Sequence, residues 1–188
     1  MIDVNQQKLK SIEIEILKLK KYFPGAKNAV LGEGSPKARL MFIGEAPGRE
    51  EDLSGRPFIG RSGRLLTKLL EGIGVDKKDV YITSVVKFLP LKGTPSRKEI
   101  ELCLPYLWKQ IDIIKPKVIC LLGNIALNVV IDKNLKISKV HGRPQEKGGI
   151  TYFPCYHPAA AVRNANLIPI LREDFRKLKM LVKRKKFS

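Results

Sequence analysis

The sequence is short of cysteine, histidine and acid, and each shortage excludes a class of protein. Cys103, Cys120 and Cys155 are the only cysteines. Odd in number and far apart, they do not suggest a disulfide framework and fit a reducing cytosol. The two histidines, His141 and His157, have no partner at ligand spacing, so no metal set is expected. No apolar run approaches the ~20 residues of a membrane span, so no membrane partner is expected either. The opening Met1-Ile2-Asp3-Val4 is polar and lysines follow from Lys8, unlike a signal peptide. A Gly-x-x-x-x-Gly-Lys-Ser/Thr phosphate loop is missing, and the glycine spacing does not match a dinucleotide fingerprint. There is no internal repeat and no low-complexity tract.

Acid is scarce relative to base: 18 Asp+Glu stand against 36 Lys+Arg, for a formal charge of +18. A chain this basic is attracted to polyanions, and nucleic acid is the commonest polyanion in a cytosol. Lysine-rich composition is also a habit of heat-adapted proteins, so charge alone does not name the partner. At 188 residues the chain suits one domain, 1–188, and is too short for two ordinary ones.

Leu9, Ile12, Ile16, Leu19 and Phe23 recur at spacings of three and four, which predicts an amphipathic helix over about 3–23, ended by Pro24-Gly25. A polar connector leads to Leu40-Met41-Phe42-Ile43, a short buried strand. A helix is expected from about Arg61 to Gly72. The β-branched run Val80 to Val86 reads as a central parallel strand. Ser96-Arg97-Lys98-Glu99 has the form of a capping box, opening a helix to about Ile114. Lys117 to Gly123 is a third strand with a short helix after it, around Ile125 to Ile131. Asp132 to Gly149 reads as polar and irregular. Ile150 to Pro154 is a fourth strand, and a last helix over about Ile168 to Val182 runs into a basic tail, about 183–188, that includes Lys183 to Lys186. Strands alternating with helices predict a three-layer α/β/α sandwich around a four-stranded, mostly parallel sheet. Right-handed crossovers then bring the Gly44 loop, Ser84, the Gly123 turn and the His157 loop to one edge of the sheet.

The stretch from Gly44 to Gly63 holds five glycines, two prolines, four acids and one isolated phenylalanine, Phe58. Such a loop at a strand end is shaped by its backbone, and chemistry is commonly found there. The cleft would offer a carboxylate at Glu45, backbone amides near Gly44 to Gly48, an aromatic face at Phe58, a hydroxyl at Ser84 and an imidazole at His157. A planar ligand stacked on Phe58 and held at its polar edge suits a nucleobase. Blander readings stand beside these: Glu45 as a loop-stabilising carboxylate, Phe58 as core, and His157 as a structural hydrogen-bonder. His141 reads as structural or DNA-facing.

Gly44-Glu45-Ala46-Pro47-Gly48, Gly55-Arg56-Pro57-Phe58-Ile59-Gly60-Arg61-Ser62-Gly63 and His157-Pro158-Ala159-Ala160-Ala161-Val162-Arg163 resemble the signature motifs of family 4 uracil-DNA glycosylases. These are the iron–sulfur type of archaea and thermophilic bacteria. The similarity runs from about Gly32 to Lys179. It implies a base-excision repair enzyme that flips uracil from DNA and hydrolyses its N-glycosidic bond. It also implies Glu45 and His157 as catalytic, and Gly44, Ala46, Phe58 and Ser84 as base-binding. Arg61, Ser62, Pro158, Ala159 and Arg163 would be the DNA contacts. The expected location is a prokaryotic cytoplasm, on the nucleoid, and a monomer is the default.

Two departures stand out. The family's four-iron cluster needs four cysteines, but only Cys103 stands where a ligand would be, Phe88 occupying another such position. No cofactor is therefore expected, with Phe88 packing on Leu17, Leu19 or Phe23. The position that normally holds a base-reading asparagine is Ser84, which leaves the preferred base open between uracil and another deaminated base. Competing readings are a catalytically weakened DNA-binding relative, active in damage recognition or with repair and replication proteins, and an RNA- or nucleotide-binding module.

Overall fold

A computed structural model describes residues 3–184. Its first helix, α1 (Val4–Leu17), is capped by Asp3, whose carboxylate accepts from the Asn5 amide at 2.8 Å. The stripe Leu9, Ile12, Ile16 is buried, as the spacing requires. The α-helix is shorter than the expected 3–23. Its last turns tighten into a 3-10 helix, Lys18–Tyr22, before Phe23 enters the core.

The strands are β1 (Glu33–Gly34), β2 (Leu40–Gly44), β3 (Tyr81–Ser84), β4 (Val118–Leu122), β5 (Gln145–Lys147) and β6 (Ile150–Cys155). They form one sheet in the order β1-β3-β2-β4-β6-β5. The expectation of four strands is corrected to a mixed sheet of six. β3, β2, β4 and β6 pair in parallel, while β1 and β5 add antiparallel edges. Both edge strands are two or three residues long and polar, so neither shows a period in the sequence. The segment Asp132 to Gly149 is likewise more ordered than expected: it holds β5 and a single helical turn, α6 (Ile137–Val140).

Helices lie on both faces. Met41, Ile43, Ile119 and Leu121 point to one side and pack with α1, α4 (Arg97–Ile114) and α5 (Gly123–Val130). Leu40, Phe42, Val118, Cys120 and Leu122 point to the other, against α3 (Arg61–Gly72), α7 (Pro158–Arg163) and α8 (Leu167–Arg184). This alternation is the period-two signature of strands covered on both faces. The Ser96–Glu99 capping box forms, the Glu99 carboxylate accepting from the Ser96 amide at 2.7 Å. Of the basic tail, Lys183 and Arg184 end α8, and residues 185–188 lie outside the described residues. Among the described residues no helix is long and apolar enough to cross a membrane.

The chain passes from β2 to β3 on one side and returns to β4 on the other. A crevice therefore opens beyond the carboxyl ends of these strands, the usual seat of ligands in α/β sheets.

Candidate active site

Four chain segments meet in that crevice. The parallel register sets Gly44 beside Ser84 at the ends of β2 and β3. Both are kept there by the amides of Val85 and Val86, which donate to the carbonyls of Gly44 and Glu45 at 3.0 and 3.1 Å. Gly123, with φ +86°, opens α5 where a side chain would meet the Cβ of His157 at 3.0 Å. The resulting cavity, about 430 Å³, is lined by Glu45, Ala46, Phe58, Ser84, His157 and Arg163, among others.

The loop between β2 and α3 is not irregular throughout. It contains a short helix, α2 (Arg49–Ser54), whose Glu51 and Asp52 are buried. Glu51 is the organising side chain that the sequence reading missed. One carboxylate oxygen accepts from the amides of Ile59 and Gly60 at 3.0 and 2.8 Å, and the other from Gly48 at 3.1 Å. Asp52 in turn accepts from the amides of Lys27 and Asn28, tying the connector to α2. The signal was present: an acidic residue three positions past Gly48, matching a cap, inside a loop otherwise built of Gly and Pro.

Phe58 is held in a costly backbone. Its φ is +50°, the left-handed region that a bulky residue avoids. The ring covers Gly44 so closely that a Cβ there would lie 2.6 Å from Phe58 Cζ. A Cβ at Gly63 would lie 2.0 Å from the Phe58 carbonyl. Lys77 Nζ donates to that carbonyl at 3.2 Å. The glycines at the two ends of the stretch are thus the two surfaces on which Phe58 rests. Phe58 is both part of the core and part of the cavity wall, and its ring stands 5.7 Å from the His157 ring at an interplanar angle of 29°.

His157 caps α7 through Nδ1, which accepts from the Ala159 amide at 3.0 Å. With Nδ1 an acceptor, the neutral ring carries its proton on Nε2. Burial, with the Arg163 charge adding to it, lowers the His157 pKa to about 4, so the ring is neutral at ordinary pH. Glu45 moves the other way: burial raises its carboxyl above the usual 4.5, and the Arg163 cation partly opposes this.

Behind Ser84 lies a buried lysine. Lys87 Nζ donates to Thr83 Oγ1 at 2.7 Å, to the Ser84 carbonyl at 2.5 Å and to Gln110 Oε1 at 2.8 Å. Gln110 passes the network to the Leu31 carbonyl. Three acceptors match the three protons of an ammonium, while burial lowers its pKa to about 7.

The remaining expected residues fall around the rim. Arg61, Ser62, Ala159 and Arg163 border an adjoining depression of about 240 Å³ between α2, the start of α3 and α7. Pro158 is buried at the first position of α7 rather than presented to solvent. Gly44 lies beneath Phe58. Val30, Gly93 and Thr94 also line the cavity and carried no signal in the sequence. His141 sits apart on Asp174, with Nδ1 2.8 Å from its carboxylate, and its ring is tilted against Tyr156.

A family model described as the Uracil DNA glycosylase superfamily matches residues 31–180. The chain belongs to that superfamily. Among similar proteins are type-4 uracil-DNA glycosylases of Sulfurisphaera tokodaii, 44% identical over 92% of this chain and 84% of that one, and of Saccharolobus solfataricus, 46% identical over 81% and 76%. The type-4 enzyme of Thermotoga maritima is 44% identical, with 84% of each chain covered.

The cluster that the type-4 resemblance implies does not fit the residues present. Cys103 is buried in the α1/α4 face of the core, where Phe23 and Phe88 stack with centroids 4.7 Å apart and planes at 20°. Phe23 is the partner expected for Phe88, whereas Leu17 is exposed. Cys120 and Cys155 lie on the opposite face of the sheet, within hydrogen-bond reach of each other. Three thiols divided between two faces cannot share one cluster. Among the described residues no group of three or more His, Cys, Asp or Glu is placed to hold a metal.

Proposed function

We propose that the chain is a monofunctional DNA glycosylase, one catalytic domain acting as a monomer in the cytoplasm and on the nucleoid. It takes a uracil flipped out of DNA and hydrolyses the bond between the base and C1′ of the sugar. The observation that supports this most strongly is the convergence of Glu45, Phe58 and His157 on one cavity, with His157 Nδ1 taken by the Ala159 amide, which assigns the ring proton to Nε2.

The two ring centroids are 5.7 Å apart, the separation of aromatic rings packed directly on each other, so no base is sandwiched between them. Phe58 therefore covers the base face while His157 meets its edge. As the C1′–N1 bond breaks, its electron pair passes to the base, and negative charge gathers on the uracil oxygens. A neutral Nε2–H aimed at O2 stabilises that charge, an effect of a few kcal/mol for a preorganised donor. The sugar becomes an oxocarbenium-like cation, which the Glu45 carboxylate faces and toward which it orients a water. The water oxygen bonds to C1′, its proton leaves to solvent, and the uracil anion is protonated on release. Arg61, Ser62, Ala159 and Arg163 take the flanking phosphates and groove, offsetting the few kcal/mol that flipping costs.

Ser84 reads the far edge of the base. A hydroxyl is shorter and offers one rotatable atom where an amide sets a donor and an acceptor side by side, so it discriminates less and supports acceptance of other deaminated bases besides uracil. The same substitution favours the second reading, a weakened DNA-binding relative. End-labelled oligonucleotides with a single uracil, hypoxanthine or xanthine, cleaved with alkali after incubation, separate the two. Scission at uracil that is lost in Glu45→Ala supports the enzyme. Salt-sensitive binding with no scission at any base would establish the second reading.

A further inference from the structure

Next to the cavity, across Thr94, which lines both, lies a second groove of about 310 Å³. One wall is the 3-10 helix and the Pro24-Gly25 turn; the other is the loop from Pro90 to Ser96 and the start of α4. Its apolar side chains are unusually bare: Tyr22 is 46% and Leu91 73% exposed. Leu91 leans across the gap, its Cδ1 3.3 Å from where a Gly25 side chain would begin. Lys92 and Lys98 line the same groove, and neither has an ion-pair partner among the described residues. The one acid on its wall, Glu99, is occupied by the Ser96 amide and hydroxyl, both at 2.7 Å. Lys21 Nζ also stands over the Tyr22 ring, 5.1 Å from its centroid, so the half-exposed ring sits among three cations in a groove that meets the base cavity at Thr94, which matches what single-stranded nucleic acid recognition requires.

We propose that this groove is a second nucleotide subsite, in which an unstacked base of the target strand lies on Tyr22 against Leu91. Lys92 and Lys98 take the phosphates of that nucleotide and its neighbour. The inference rests on the glycosylase reading for the direction in which the strand runs, from the cavity past Thr94. It does not rest on it for binding itself. The strand is thereby held open on one side of the flipped base, and target single strands or locally melted duplexes become the favoured substrate.

The test uses the full chain and a labelled, uracil-free single strand, with binding followed by fluorescence anisotropy. Tyr22→Ala is expected to weaken binding about tenfold, as loss of one base–aromatic stack does, and Tyr22→Phe to bind as the parent. Lys92→Ala and Lys98→Ala should each reduce the slope of log affinity against log salt by about 0.7. On a uracil-containing single strand, Tyr22→Ala should raise KM about tenfold and leave kcat unchanged. Binding by Tyr22→Ala equal to the parent would overturn the proposal, and so would Tyr22→Phe failing as badly as Tyr22→Ala. A fall in kcat would overturn it too, since that places Tyr22 in support of the cavity rather than of the strand. Absence of excision by the parent on any uracil substrate would refute the glycosylase reading alone, because the uracil-free strand still decides the groove.

Discussion

At the scale of single residues, the site is a set of constraints converging on Phe58. Its left-handed backbone is sustained by Lys77 on its carbonyl, by Glu51 on the next two amides, and by the bare Cα of Gly44 under its ring and of Gly63 against its carbonyl. Glu51→Ala removes the acceptor of three amides at once. It should cost about 3 kcal/mol or more in stability, measurable by urea unfolding, and abolish excision by freeing the loop. Ser84→Asn restores an amide at the base edge and should improve discrimination for uracil over hypoxanthine by ~1–3 kcal/mol, read from kcat/KM on the two bases. The pH profile follows from Glu45 and His157. The carboxylate is the working form, and burial raises its pKa, so kcat/KM falls as pH drops through a value above 4.5. Arg163 opposes that shift, so Arg163→Ala should move the acid limb to higher pH. His157, with its pKa at about 4, contributes no inflection near 6.5.

At the scale of elements, two buried devices hold the cleft walls. The Phe23–Phe88 stack pins the chain after α1 to the start of the β3–α4 loop, beside Cys103. Phe88→Ala should destabilise by about 3–5 kcal/mol in denaturant melts. The Lys87 network joins β3, α4 and the connector at Leu31. With a folded pKa of about 7 against the usual 10.5, the unfolded chain binds more protons between those values. Stability from this group therefore rises with pH across that window and is lost as pH falls toward 7. Lys87→Met should flatten the dependence of melting temperature on pH between about 7 and 10. Elements whose apolar residues recur over three turns or more, such as α3 and α4, were legible in the sequence nearly to the residue. The parallel strands were legible as short apolar runs, one of them rich in β-branched residues. β1, β5, α2 and α6 were not, because runs of two to six residues are too short to show a period and are ordered by tertiary contacts. Glu51 and Lys87 were missed for a related reason: their roles depend on amides and carbonyls brought together by the fold. Glu45, Phe58, Ser84 and His157 were legible because glycine-rich motifs and strand ends mark them.

At the scale of the whole molecule, the excess of 18 positive charges gives the protein a strong field for nucleic acid. An interface neutralising about six phosphates loses on the order of a thousandfold in duplex affinity between about 50 and 200 mM salt. A loss below about tenfold over that range would show that few phosphates are engaged. Catalysis asks more than binding: one cavity must hold a base and break its bond to the sugar. Chromatographic detection of free uracil after incubation with uracil-containing DNA reads that step. The parent protein should release uracil and leave an intact strand with an alkali-sensitive abasic site, and a correctly folded Glu45→Ala should release none. Strand scission without alkali, or equal release by Glu45→Ala, would contradict the account.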